Sequence, residues 1–456
     1  MPFDIKRATN GPKHHFFGFH DLKITDASNK YILALEVEDI SHPPLSGEKA
    51  KSGVVEVGGD GQFRASHETS AFNYPQGARQ QWFGDTTLFT TNDRVGDTWG
   101  SRLSDATTCE VEDTFEFPIH SLCNDGRAFY INYARLYRNA VYGYIGILDK
   151  YEEDIPKQDG IWCANIKTKE NKLLVSIDEV ARCGEERAVW AGYPHYLTHL
   201  VLNPSQNRIA FLHRYRVKDG GEITRLMTIG TDGAGLRCLA KGFLSHFDWL
   251  DDDKLFMWGE HQPRICRMRE SAFFSNKLVS FGVKQAKKIR QCIIRRKVNK
   301  AKEGEQQLQS KTFMVIDDTE PAKITKNGIG VLVSDGHPMT NPIYKCKIIV
   351  DNYPQADRCR TLMLYDYLQQ TKIDIGKFRM IDDDVDEESF NSEASYYGVD
   401  ERIKKVFPHE IFMHSRSGLH CDLHPRWSSD GKVAYFDSIH EGTRQIYSVD
   451  LSDCLL

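Results

Sequence analysis

Seven times along the chain the same short phrase returns, and this repeat narrows the fold more than any other feature. The copies are HDLKITDASNKYILA, RQQWFGDTTLF, HSLCNDGRAFY, HLVLNPSQNRIAFL, HFDWLDDDKLFM, HPMTNPIYKCKIIV and HPRWSSDGKVAYF. Each has a bulky residue near the fourth place, a turn near the seventh, and then an alternating apolar run. Asp26, Asp85, Asp252 and Asp430 stand six residues after the first position, Asp125-Gly126 arrives one residue early, and Ser205 takes the place in the fourth copy. Residues of these types accept tight hairpin geometry. The runs that follow, among them YILALEV, TLFTTND, AFYINYARL, RIAFLHRYR and KVAYFDS, are β-branched and aromatic at period two. Further strand-like stretches, such as GVVEVG, GIWCANI, TRLMTIGTD and RQIYSVDL, make each unit a small antiparallel meander. The expected fold class is all-β, a seven-bladed β-propeller. Its innermost strands would line an axial channel, with the first position of each phrase at one mouth: His20, Arg79, His120, His199, His246, His337 and His424.

Composition fits one closed unit. The chain has 456 residues, 40% hydrophobic, with a formal net charge of −5, so a single domain over 1–456 is expected. No stretch approaches the roughly 20 apolar residues that span a bilayer, and MPFDIKRATNGPK has no apolar core of an export signal. Eleven cysteines are scattered without a CxxC pair, which favours a reduced, cytoplasmic protein. Two segments break the pattern. One, at about 263–311 in the fifth unit, is basic and helical, with Ile289, Ile293 and Ile294 on one side of KQAKKIRQCIIRRKVNKAKE. It reads as a helical lid, with a peripheral membrane or protein contact as the alternative. The other, an acidic loop at about 380–402 in the sixth unit, lacks the spacing of a calcium loop.

A lone histidine at a strand start is commonly structural, as in propellers of the WD type. Six in one register, with no recurring Trp-Asp dipeptide beside them, point instead to a shared site. A neutral imidazole can accept a proton near neutral pH and can bind a divalent metal. In GLHCDLHPRW, His420, Asp422 and His424 alternate, so on a strand they share a face, and mixed N/O ligation suits Mn, Fe, Zn or related ions. His337 comes from the neighbouring unit. A second constellation is cationic: Gln76 and Arg79, then Arg135 and Arg138, then Arg214, Arg216 and Arg225. Arginine's planar fork suits carboxylates, with salt bridges between blades as the alternative. Phosphate-loop, dinucleotide, GxSxG and HExxH motifs are missing from the sequence, and no basic, aromatic stacking surface suggests nucleic acid.

The register phrases, with QGARQQW, SHFDW, SDGHP and DLHPRWSSDGKVAYFDSIHEGTRQIYSVDL, resemble the oligogalacturonate lyase group of propeller polysaccharide lyases, and more loosely the TolB-like propellers. The resemblance implies β-elimination on an acidic oligosaccharide, with a histidine taking the C5 proton of a uronate. Carried across, His246 matches the base, and His337 with His424 the metal ligands. Asp422 falls where the family pattern favours another histidine, and His420 is displaced from the usual additional ligand. The candidate catalytic residues are His246, His199, Tyr137 and Arg225. Arg79, Gln76, Arg135, Arg214 and His120 are the candidates for substrate binding, and His337, His420, Asp422 and His424 for a metal. The implied cofactor is a divalent ion, manganese foremost, with zinc or calcium as alternatives. A non-catalytic carbohydrate- or protein-binding propeller is the competing reading. A glycoside hydrolase using Asp21, Asp248 or Asp335 is the other.

Overall fold

The structure is a computed structural model and describes residues 3–140, 142–184, 194–216, 221–264, 266, 310–354, 357–381, 398–404 and 416–455. Most of the basic insertion and of the acidic loop therefore lies outside the described residues. Among the described residues no helix is long and apolar enough to cross a membrane.

The period-two runs form the strands they predict, including Tyr31–Val37, Leu88–Val95, Arg208–Arg216 and Val433–Ser438. AFYINYARL is the exception. Its strand stops at Tyr130, and Tyr133–Ala140 is a helix. Asn132 explains the switch, because its Oδ1 accepts from the Arg135 amide at 3.0 Å and caps the new helix. The helix then buries Tyr133, Leu136 and Ala140 against neighbouring strands.

Among the described residues the strands make five four-stranded sheets and one of seven, all paired antiparallel and, with one exception, between chain neighbours. This is a β-propeller architecture. The ring closes where Ile5–Arg7 pairs with Gln445–Asp450, so the two ends of the chain share a sheet. In the seven-stranded sheet, Arg237–Trp249 pairs with Glu222–Gly230 along its first part and with Lys254–His261 along its second, with a register shift between Leu244 and Phe247. Apolar side chains fill the space between sheets. Leu33, Val54, Phe89, Tyr435 and Ile446, from three sheets, form one buried cluster.

The bulky fourth place of the phrase has a specific task. Trp82 Nε1 donates to Ile24 O, Trp249 Nε1 to Val201 O and Trp427 Nε1 to Met339 O, each at 3.0–3.1 Å. The indoles of Trp82 and Trp427 thus tie their sheets to the preceding one, and that of Trp249 ties Arg237–Trp249 to His195–Leu202 within the seven-stranded sheet. The turn aspartates act locally: Asp26 accepts from the amides of Ser28, Lys30 and Tyr31.

The first position of the phrase sits where the inner ladder is interrupted. Gln81–Trp82, Ser121–Leu122, Met339–Thr340 and Arg426–Trp427 begin one or two residues after Arg79, His120, His337 and His424. His199 and His246 lie inside register shifts, and His20 lies between His14–Phe16 and the Thr25–Ile32 bridge. Arg79, His199 and His424 have φ of 53°, 57° and 41°. A side chain at such a break is re-aimed away from the sheet face. Left-handed backbone at a non-glycine residue is uncommon and is concentrated at functional sites.

Candidate functional site

Five of the six register histidines converge around a residue the phrase does not include. The Phe19 ring lies 4.4 Å from His20, 4.8 Å from His199, 5.1 Å from His424, and 6.0 Å from both His246 and His337, measured between centroids. Above it a cavity of about 550 Å³ is lined by His199, His246, His337, His420, Asp422 and His424, with Arg214, Lys311, Arg416, Asp335 and Tyr353 among its other walls. That volume accommodates a small-molecule ligand.

Two carboxylates orient the central imidazoles. Asp351 Oδ1 lies 2.8 Å from His337 Nδ1, and Asp335 Oδ1 lies 3.0 Å from His246 Nδ1. A carboxylate on Nδ1 places the proton there and leaves Nε2 as a lone-pair donor. The two rings are neighbours, 4.1 Å between centroids, and His424 lies 4.3 Å from His337. Burial drives the imidazoles of His20, His199, His246 and His424 below their usual value, so they are neutral. His337 differs. Burial pushes it down, but Asp351 outweighs that and raises it. Asp422 is ionised: burial raises its carboxyl, and the Arg360 guanidinium at 2.6 Å overcomes this and holds it well below the usual range.

One atom each from His337, Asp422 and His424 lies within 4.8 Å of the others, the arrangement a metal ion needs. The donor set suits a divalent cation, since two imidazoles and a carboxylate are ordinary ligands of manganese or zinc. His424 Nδ1 is buried without a hydrogen-bond partner among the described residues. His420 stands beside this triad, its Nε2 3.6 Å from Asp422 Oδ1 and 3.4 Å from the Arg360 guanidinium.

Seven of the thirteen residues singled out from the sequence line the cavity: His199, His246, Arg214, His337, His420, Asp422 and His424. The other six do not, for identifiable reasons. Arg225 donates to the carbonyls of Val180, Ala181 and Cys183 and so caps the end of the helix Ile177–Arg182. Arg79 holds Asp21 with two bonds, at 2.7 and 3.1 Å, and also donates to His120 O. Arg135 binds the carbonyls of His195, Glu153 and Asp154. His120 stacks on Tyr133 at 6.2 Å, and Tyr137 is buried on the same helix as Tyr133. Gln76 is buried beside the cavity residue Pro75 without lining the cavity itself. The carboxylates considered for hydrolysis separate as well, since Asp21 is tied to Arg79, Asp248 lines a different cavity, and only Asp335 faces this one.

Phe19, Asp351, Tyr353, Arg360 and Arg416 were not anticipated. Asp351 carries a readable signal. Met339 pairs with Ile349 across a hairpin, and two residues outward on each strand the same register sets His337 opposite Asp351.

No protein-family profile matches the chain, and neither does any curated protein sequence. Solved structures do match. An oligogalacturonate lyase in complex with manganese aligns over 100% of this chain and 98% of its own, with a TM-score of 0.56 and 12% identity. The oligogalacturonate lyase of Vibrio parahaemolyticus aligns over 100% of this chain and 95% of its own, with a TM-score of 0.56 and 10% identity. The fold is a β-propeller like that of the oligogalacturonate lyases. At such identity the likeness extends to the fold alone.

Proposed function

We propose that the protein is a lyase that cleaves a uronate-containing oligosaccharide by β-elimination, on a propeller of seven blades. In that reading the seven-stranded sheet is two blades that share the strand Arg237–Trp249, and the chain works as one domain in the cytoplasm. The observation that carries the proposal is a neutral, carboxylate-oriented imidazole, His246, set directly against the His337–Asp422–His424 triad in one cavity.

A uronate C5 proton becomes removable when the adjacent carboxylate is neutralised, because charge develops there in the transition state. His337, Asp422 and His424 would hold a divalent cation, manganese by preference, whose Lewis acidity supplies that neutralisation. Arg214 and Arg416, both on the cavity wall, add positive charge for the same acidic sugar. His246 Nε2 takes the C5 proton, with Asp335 keeping the other nitrogen protonated. The C4–O4 bond breaks, a C4–C5 double bond forms, and O4 leaves with a proton. In this reading Tyr353 gives that proton. Its ring lies 6.0 Å from His246 and 5.6 Å from His337, and burial raises its phenol so that it stays protonated. Tyr353, rather than the sequence candidate Tyr137, is the tyrosine used in this reading, because it lines the cavity.

Incubation with a panel of uronate oligosaccharides tests the reading. New near-ultraviolet absorbance from the unsaturated product is the expected result. Reducing ends without that absorbance would make the protein a hydrolase, and binding without turnover would make it a carbohydrate-binding propeller.

A further inference from the structure

A second cavity, of about 410 Å³, lies between the sheets that contain Leu88–Val95 and Gly160–Asn165 and shares no lining residue with the histidine cavity. Its walls are aromatic. Tyr130 and Trp162 stack at 6.2 Å with their planes 13° apart, and Trp99, Tyr133 and Tyr151 also line it. Its charged groups are three carboxylates and one ammonium: Asp97 and Glu116 are exposed, Asp159 is buried, and Lys150 is the cation. Asp159 is oriented by the Asn132 amide at 3.0 Å and the Trp162 indole at 3.3 Å. Among the lining donors, the Trp99 indole is left over. Trp99 is 5% exposed, and its Nε1 donates to no group among the described residues.

These features select a ligand by chemistry. Stacked aromatic faces take up the C–H face of a pyranose, as they take up other flat apolar surfaces. The carboxylates accept from hydroxyl groups, and an indole N–H, which can only donate, needs an oxygen acceptor. An anionic sugar is opposed by three carboxylates against the single cation Lys150. An organic cation would leave the Trp99 donor unmatched. We infer that this cavity binds a neutral sugar residue.

The turn at 95–98 and the connection at 131–159 both join a second strand to a third, which is the end of the sheets where the register residues stand. Both cavities therefore open on one face of the propeller. The assignment stands independently of the elimination reading; joined to it, the substrate is a glycan in which uronates and neutral sugars occur together.

Titration of the intact chain with cellobiose, xylobiose and methyl α-rhamnoside, followed by the indole N–H resonance of Trp99 (assigned through Trp99→Phe), tests the site without requiring turnover. The expected result is a saturable shift with at least one neutral probe, and none with galacturonate. The affinity should fall about tenfold or more in Trp162→Ala and in the rim variant Glu116→Lys, which alters only an exposed side chain, and should persist in His337→Ala. Absence of a saturable shift with every neutral probe overturns the inference, as does a stronger response to galacturonate or an unchanged response in Glu116→Lys.

Discussion

The two ends of the propeller axis are lined by the same inner strands, yet they offer different chemistry. At the register end the ladders are broken and imidazoles gather around Phe19 beneath a cavity of about 550 Å³. At the other end a cavity of about 370 Å³ is lined by residues only a few positions further along, including Asp21, Gln81, Trp82, Asp248, Trp249 and Thr340. There the ladder is intact and the large side chains are already committed: Trp82 and Trp249 to backbone carbonyls, Asp21 to Arg79, and Asp248 to the Thr340 amide at 2.7 Å. A side chain becomes available for a ligand where the backbone pattern that would occupy it is interrupted. Two residues along a strand, the same sheet uses its side chains to hold itself together.

Changes at the two ends should therefore separate activity from stability. The largest effect is expected from His246→Ala, which removes the base and should lower kcat by about 10²–10⁴-fold with an unchanged circular dichroism spectrum. Full activity in this variant would break the contrast at its strongest point. Next is Asp351→Asn, which leaves the metal triad in place but loosens the orientation of His337. Manganese affinity, measured by calorimetry, should fall about 10–100-fold, and unchanged affinity would remove His337 from the triad.

At the far end the readout is stability against pH. Burial pushes the Asp248 carboxyl from 3.8 up to about 7, so between those values the native state binds more protons than the unfolded chain. Stability falls as pH rises through that window. Asp248→Asn should be the more stable protein above pH 7 by about 1–2 kcal/mol, less than the full shift implies because the carboxylate borders a cavity open to water. The difference should vanish below about pH 4, and lyase activity should stay intact. A constant difference across pH would show that the carboxyl's titration is not responsible. The smallest effect is expected from Trp82→Phe, which loses one indole hydrogen bond and should cost about 1 kcal/mol in denaturant unfolding without altering turnover.

The meanders, their turns and the convergence of the register histidines could be read directly, because alternation and hairpin chemistry act over neighbouring residues. Arginine roles could not. Arg79, Arg135 and Arg225 stand beside register or strand residues just as Arg214 does, but only Arg214 reaches the cavity. An arginine side chain is long enough to serve either a ligand or a distant carbonyl, and the choice depends on which carbonyl a loop brings near. For Arg225 that loop follows the helix Ile177–Arg182. The helix after Tyr130 was hidden for a similar reason, since NYARL alternates well enough for a strand and only the Asn132 cap turns it.

Local pattern was thus sufficient to specify an all-β repeat and to bring His199, His246, His337 and His424 to one place, because every copy of the phrase puts its first residue at the same strand end. Three-dimensional packing alone decided that Phe19 fills the axis, that Asp335 orients His246, and that Arg360 keeps Asp422 ionised. These pairings join residues from different sheets, where burial and charge, rather than spacing along the chain, determine which side chain meets which.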